Sequence, residues 1–257
     1  MTKPKNILIT GANSGLGKAL ALAYANSGIN LYLSGRNHKR LVEVKKMCEH
    51  KGAIVSERAL DVSDARKIEE WIDSIYLGGG KIDMVIANAG ISAGTEGGAE
   101  SAGQVRKIFS TNIDGVINTI HPVIEYMKQE KKGQVVIISS LAGYRGLPSS
   151  PAYSASKAAV RVYGEGLRGA LAKDGIKVTV VTPGYIKTPM TDVNKFPMPF
   201  IMTAGKAARL IARRLQSNPS RIAFPFRLYF VVWLLSVLPP CSTDWLLAKM
   251  PGKKGLD

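Results

Sequence analysis

Six short runs of aliphatic and β-branched residues recur along the chain, each followed by a longer stretch of helical period, and that rhythm restricts the fold more than any other feature. The runs are NILIT at 6–10, INLYLS at 29–34, AIVSERAL at 53–60, IDMVIA at 82–87, QVVIIS at 134–139 and KVTVVT at 177–182. Segments 16–27, 38–50, 64–76, 104–130 and 153–173 are long enough for crossover helices. Near-continuous apolar strands belong to a parallel sheet covered on both faces, and parallel neighbours need a helix-sized connection. The expected fold class is therefore α/β, a doubly wound parallel sheet in three α/β/α layers. No linker rich in Pro, Ser or charge divides the 257 residues. One domain is expected, with residues 1–189 as core and 190–257 as a lid and C-terminal extension.

Composition narrows the company such a chain keeps. Hydrophobic residues make up 46%, enough for a sizeable core, and the formal net charge is +16. A positive balance favours anionic partners: phosphates, anionic lipid head groups or nucleic acid. Residues 203–257 carry nine basic residues against Asp244 and Asp257 alone. No basic stripe interleaved with aromatics and no zinc-finger or RNA-binding signature accompanies that excess, so a nucleic-acid partner is not expected. Cys48 and Cys241 stand far apart, outside any CxxC or His-rich context, which reads as two reduced thiols and no metal site. The start MTKPKNILITG enters an apolar run at once, leaving no room for a signal peptide, and a cytoplasmic protein is expected.

In a doubly wound sheet, ligands gather at the carboxyl ends of the strands. The first run passes directly into TGANSGLGKALALAYANSG, with Gly11, Gly15 and Gly17, and Ser14 and Leu16 beside them, opening an apolar helix. Glycines there allow a tight turn and a close approach of backbone amides to a pyrophosphate at a helix N-terminus. The spacing G-x-x-x-G-x-G departs from G-x-G-x-x-G, yet its place between strand and helix points to a dinucleotide and a Rossmann-type domain. At the end of the second run, LSGRNHKR supplies Gly35 and Arg36 where a site for NAD usually places a carboxylate for the ribose 2′-hydroxyl. A guanidinium suits a 2′-phosphate, so NADP(H) is expected over NAD(H), with Arg36 as the selecting residue.

The stretch AYSASKAAV at 152–160 admits two chemistries. Read as Tyr-x-x-x-Lys it is a phenol with an ammonium four residues on. Read as Ser-x-x-Lys it is a serine nucleophile, Ser154, with a lysine base, Lys157.

Taken together, the motifs resemble those of the short-chain dehydrogenase/reductase family. TGANSGLG at 10–17 resembles its cofactor loop, NAG at 88–90 its post-strand motif, and Asn112 its helix asparagine. ISS at 138–140 resembles its catalytic-serine strand, YSASK at 153–157 its active site, and PGYIKTPM at 183–190 its nicotinamide loop. The likeness runs in order over residues 5–190. It implies that Asp61 and Val62 flank an adenine and that Asn88 and Gly90 line the cofactor floor. Pro183, Gly184, Ile186 and Thr188 would sit against the nicotinamide. Two departures stand out: Ala87-Asn88 replaces the usual double asparagine, and the C-terminal region lacks the frequent Asp-Gly-Gly ending.

Helical geometry then separates the two chemistries. Residues 153 and 157 lie one turn apart on one face, whereas Ser154 is rotated about a quarter turn away. The S-D-N and K-T-G elements that accompany a Ser-x-x-Lys nucleophile are missing, as is a G-x-S-x-G elbow, and His38, His50 and His121 have no nucleophile pattern around them. Tyr153 is therefore expected to be the general acid/base, its pKa lowered by the neighbouring ammonium and by an oxidised nicotinamide. Ser140 would hydrogen-bond the substrate oxygen and Lys157 would hold the ribose. Asn112, by resemblance, would anchor a water linking Lys157 to solvent.

Beyond the nicotinamide loop, MTDVNKFPMPFIM at 190–202 occupies the place of the family's mobile lid. Its Met190, Phe196 and Phe200 are candidate substrate contacts, and the set points to a hydrophobic small-molecule substrate. Residues 203–218 read as an amphipathic helix, RIAFP at 221–225 as a last strand, and FRLYFVVWLLSVLPP as an all-apolar helix from 228 to 238. Eleven residues are too few to span a bilayer, which needs about twenty. Such a helix is buried, packs in a homodimer or homotetramer, or dips into an anionic membrane surface. Arg221, Arg227, Lys249, Lys253 and Lys254 flank it, with Trp233 and Trp245 near by.

Overall fold

The computed structural model describes residues 4–95, 98–194, 196–248, 253 and 255. Lys249 and Lys254, among the flanking cations named above, lie outside the described residues. The main sheet is built from β1 (Asn6–Ile9), β2 (Asn30–Gly35), β3 (Ile54–Ala59), β4 (Met84–Ala87), β5 (Gly133–Ile138), β6 (Ile176–Pro183) and β9 (Arg221–Phe224). All seven run parallel in the order β3-β2-β1-β4-β5-β6-β9. The order reverses between β1 and β4, and the crevice opens at that point, outside the carboxyl ends of the strands. A small second pairing joins β7 (Ile186–Lys187) to β8 (Met202–Thr203).

Alternation along the strands supplies two cores. Ile7, Ile9, Leu31, Leu33, Ile86 and Val181 pack on one face under α1 (Gly15–Tyr24), α2 (His38–Glu49) and α8 (Ala204–Leu215). Leu8, Val85, Val135, Ile137 and Val178 pack on the other under α3 (Ala65–Leu77), α5 (Gly115–Glu130) and α6 (Pro151–Ala170). Each fully buried aliphatic side chain contributes about 1.5–3 kcal/mol, so the centre of the sheet is a rigid floor for the loops at its carboxyl edge. Side-chain caps fix where the following helices begin: Asn37 accepts from Arg40 N, and Asp64 from Lys67 N.

Segment 104–130 divides into α4 (Ala102–Phe109), a π-helical turn at Ser110–Asp114, and α5. Apolar period alone cannot reveal a single wide turn, which keeps the same face buried while shifting the register. The run RIAFP, read from the sequence as a last strand, forms β9 and completes the sheet against β6, so this part of the C-terminal extension shares the core.

The rest of that extension behaves differently. Past the short turn α7 (Pro189–Asp192) and the helix α8, helix α9 (Phe226–Val237) has no buried residue, and α10 (Pro240–Leu247) buries only Thr243 and Leu247. Phe226, Phe230, Val231, Trp233, Leu234, Val237 and Trp245 are exposed. Among the described residues no helix is long and apolar enough to cross a membrane. Cys48 is buried and Cys241 exposed, both as free thiols.

Candidate active site

The loops after β1, β2, β3, β4, β5 and β6 enclose a cleft of about 270 Å³. Gly11, Ser14, Gly15, Leu16, Arg36, Asp61, Val62, Asn88 and Gly90 line one part of it. Ser140, Tyr153, Lys157, Pro183, Gly184, Ile186, Thr188 and Met190 line the rest. Residues scattered over most of the chain thus meet at one sheet edge.

The loop after β1 is held in shape by β4. Thr10 Oγ1 accepts from Asn88 N at 3.1 Å and Ala89 N at 3.2 Å, while Asn88 Nδ2 donates to Thr10 O at 2.9 Å. Gly11 takes φ +67°, where a side chain is strained, and a Cβ there would stand 2.8 Å from Ala89 Cα. Gly17 lines no part of the cleft; it works from beneath, because a Cβ at 17 would meet Gly11 O at 2.3 Å and Asn88 Nδ2 at 2.6 Å. Gly17→Ala is therefore expected to displace the loop, to cost about 1–3 kcal/mol in stability, and to weaken dinucleotide binding. Thermal unfolding and a fluorescence titration with NADPH check both effects, and an unchanged melting temperature with unchanged affinity would contradict this account of the loop.

At the other end of the cleft, Tyr153 and Lys157 sit on α6 with the Lys157 ammonium 5.9 Å from the phenol ring centre. Lys157 is buried and Nζ donates to Ile138 O at 3.0 Å, which fixes its direction. Burial without a carboxylate pulls its pKa down to about 8. The same desolvation pushes the Tyr153 phenol above its usual value, and the nearby Ser140 hydroxyl opposes that shift. Among the protein's own groups desolvation is the largest influence, and the lowering expected from the sequence counts also on an oxidised nicotinamide. Ser140 Oγ accepts from Ala142 N at 3.1 Å, which holds the hydroxyl at the end of β5.

Asn112 lies in the π-helical turn and is fully buried directly behind Gly90, where a Cβ at 90 would lie 3.1 Å from its Oδ1 and 3.3 Å from Lys157 Nζ. Its Oδ1 accepts from Ile91 N at 2.8 Å, and Nδ2 donates to Ile91 O at 2.9 Å and to Ser156 Oγ at 3.0 Å. These bonds tie the loop after β4 to the helix carrying Tyr153. Ser154 is also buried, its Oγ accepting from Leu147 N at 3.3 Å, and it does not line the cleft. The Ser-x-x-Lys reading has no geometry to support it.

Among the substrate candidates, Met190 lines the cleft and the two phenylalanines do not. Phe196 packs edge-on against Tyr185, with ring centres 6.3 Å apart, and Phe200 is half exposed in a turn at φ +57°. The parallel pairing of β8 with β7 joins the end of this segment to the nicotinamide loop, Met202 opposite Ile186. Thr188 closes across to the phosphate loop, its Cγ2 lying 3.2 Å from where a Gly15 Cβ would stand.

Several cleft residues escaped sequence reasoning. Asn13 and Thr191 both line it, and Thr191 Oγ1 bonds Ile186 O at 2.7 Å to hold the nicotinamide loop. Their signal was position, inside motifs already singled out. Lys253 gave no local signal: it reaches Ser92 across 161 residues of sequence.

The residues present fit a nicotinamide dinucleotide. Glycines leave room for backbone amides beside a pyrophosphate, and the Ser14 hydroxyl makes no cap bond at the N-terminus of α1. Arg36 stands at the far rim, with the buried cation Lys157 at the reacting end.

Comparison with known proteins agrees. A family model described as short chain dehydrogenase matches residues 5–196. An uncharacterized oxidoreductase of Myxococcus xanthus is 36% identical over 235 residues, covering 91% of this chain and 93% of that protein. A 3-oxoacyl-[acyl-carrier protein] reductase from Brucella melitensis, solved with NAD bound, superposes with a TM-score of 0.73 at 26% identity, over 87% of this chain and 90% of that one. ElxO, solved with NADP bound, superposes with a TM-score of 0.74 at 28% identity, over 86% and 96%. The phosphate loop, the Tyr153–Lys157 pair and the seven-stranded parallel sheet thus coincide with a match over most of the chain, and this protein belongs to the short-chain dehydrogenase/reductase family of NAD(P)-dependent oxidoreductases.

Proposed function

We propose that this protein interconverts a carbonyl and a secondary alcohol on a hydrophobic or lipid-like molecule, with NADPH as preferred cofactor and Tyr153 as general acid/base. The observation that carries the reading is the phenol of Tyr153, set in the cleft between Ser140 and the buried ammonium of Lys157. The bound dinucleotide supplies a hydride for the carbonyl carbon. As the carbonyl oxygen gathers charge, Tyr153 passes it a proton and Ser140 donates a hydrogen bond to the same oxygen. Lys157 then faces a phenolate at short range and stabilises it. The test is turnover of NADPH and NADH against apolar ketones and aldehydes, both neutral and bearing a carboxylate or phosphate, followed by absorbance; binding of NADPH without turnover on any of them would refute it.

That outcome would favour a second reading, an idle NADP(H)-binding protein acting through its surface, which the exposed side chains of α9 support. The same helix supports a lipid-like substrate in the first reading. Gly184 of the nicotinamide loop approaches α9 closely, a Cβ there standing 3.1 Å from Leu228 Cδ2, so the helix adjoins the reacting end of the cleft. Contiguous apolar surface on this scale is normally covered by a partner or a membrane. The protein is expected to float with vesicles containing about a third anionic lipid, and to lose that behaviour in the double variant Phe230→Ser, Trp233→Ser. Protein that stays at the bottom of the gradient and sediments as a dimer or tetramer would assign the face to self-association instead.

A further inference from the structure

The C-terminal segment returns to the active site. Its root is pinned by Arg145, whose Nη2 reaches Asp244 Oδ1 at 2.6 Å and Thr243 Oγ1 at 3.4 Å, just beyond Ser140. Lys253 then stands over the Tyr153 ring, Nζ 5.4 Å from its centre, and donates to Ser92 Oγ at 2.5 Å. The chain is shaped to receive it: a Cβ at Gly94 would lie 2.3 Å from both the Cβ and the carbonyl oxygen of Lys253. Only a residue without a side chain tolerates that approach.

This lysine is poorly satisfied. It is half-buried, and among the described residues no carboxylate comes within 4.0 Å of it. Glu100, whose carboxylate lies at the N-terminus of α6, accepts from Ala152 N at 2.8 Å and from Gln104 Nε2 at 3.2 Å. Desolvation pulls the Lys253 ammonium down to about 8. A cation withdrawn from water with, among the described residues, one hydroxyl and the face of the Tyr153 ring for company is costly unless an anion completes it. The residue also lies beyond the family match, which ends at 196.

We propose that Lys253 is the anion-recognition residue of the substrate pocket, so that the substrate carries a carboxylate or a phosphate at the same end as its reacting carbonyl. The inference rests on Tyr153 being the acid/base group. Since the ammonium overlies the tyrosine ring, an anion paired with it sits only a few bonds from a carbonyl that accepts the tyrosine proton. The apolar remainder of the molecule extends past Met190. Lys253 thus selects oxo or hydroxy acids, or phosphate esters of like shape, over neutral ketones.

Decanoate, decyl phosphate and decan-1-ol, which share a tail and differ in head group, test this by titration calorimetry on the full chain, with and without NADPH. At least one anion is expected to bind about tenfold more tightly than the alcohol, a charge-assisted hydrogen bond's worth, and the better of the two identifies the head group. Lys253→Gln should remove the preference, Lys253→Arg should retain it, and Gly94→Ala, which obstructs the tail, should reduce it. Equal binding of all three ligands, or a preference that survives Lys253→Gln, overturns the proposal. So does a uniform gain in affinity for all three in Lys253→Gln, which would make the tail a plug. Because the preference is also read without dinucleotide, failure to bind NADPH would count against the reductase reading alone.

Discussion

Tyr153→Phe is expected to lower kcat for carbonyl reduction by about 10³-fold, within the range for loss of a positioned proton donor, while leaving the affinity for NADPH nearly unchanged. The substitution removes one oxygen from a ring held on α6 by helix geometry, so neither the ring nor Lys157 has reason to move. Lys157 keeps its bond to Ile138 O, which does not depend on the phenol. The pH profile adds a second requirement. Burial holds the Tyr153 proton on through neutral pH, so the donor is loaded. Lys157, drawn down to about 8, loses its charge as pH rises through that value. Reduction by the unsubstituted enzyme should therefore be level through neutral pH and fall above about 8 as the cation that stabilises the phenolate disappears. A Tyr153→Phe variant with more than a tenth of the original kcat would mean that another group supplies the proton.

The sheet was legible because it is buried on both faces. Runs such as NILIT and QVVIIS have no polar face to present, and only a parallel sheet sandwiched by helices accommodates them. The cleft was legible for a related reason, since most of its residues close the strands or follow them directly, while Tyr153 and Lys157 are marked by their spacing on one face of α6. What escaped depends on contacts between distant segments. The sequence does not show that the Asn112 amide fastens Ile91 to Ser156, nor that Phe196 packs on Tyr185 beside the β7–β8 pairing. Lys253 is one of nine cations in a basic tail until the fold sets it over Tyr153. Charge, unlike apolar period, carries no mark of where it will end up.

Arg36→Asp tests the part of the cofactor reading that sequence alone can motivate. Arg36 stands at the end of β2, 3.9 Å from Asp61, with 59% of its side chain exposed. A pair this open contributes little to stability, so the guanidinium is held loosely and free to turn toward a 2′-phosphate. Gly35 before it keeps the strand end clear, since a Cβ there would meet Asn13 Oδ1 at 2.3 Å. Asp at 36 would remove the charge-assisted bonds to the phosphate, set two carboxylates side by side, and offer an acceptor to a ribose 2′-hydroxyl. The ratio of NADPH to NADH affinity should fall by about 10²-fold, and less at high salt, where exposed charges are screened. Arg36→Ala separates the two contributions: it should lose affinity for NADPH without gaining any for NADH. If neither variant moves the ratio, selection between the cofactors lies with another residue, and the nearest candidate is Asn13, which lines the same end of the cleft.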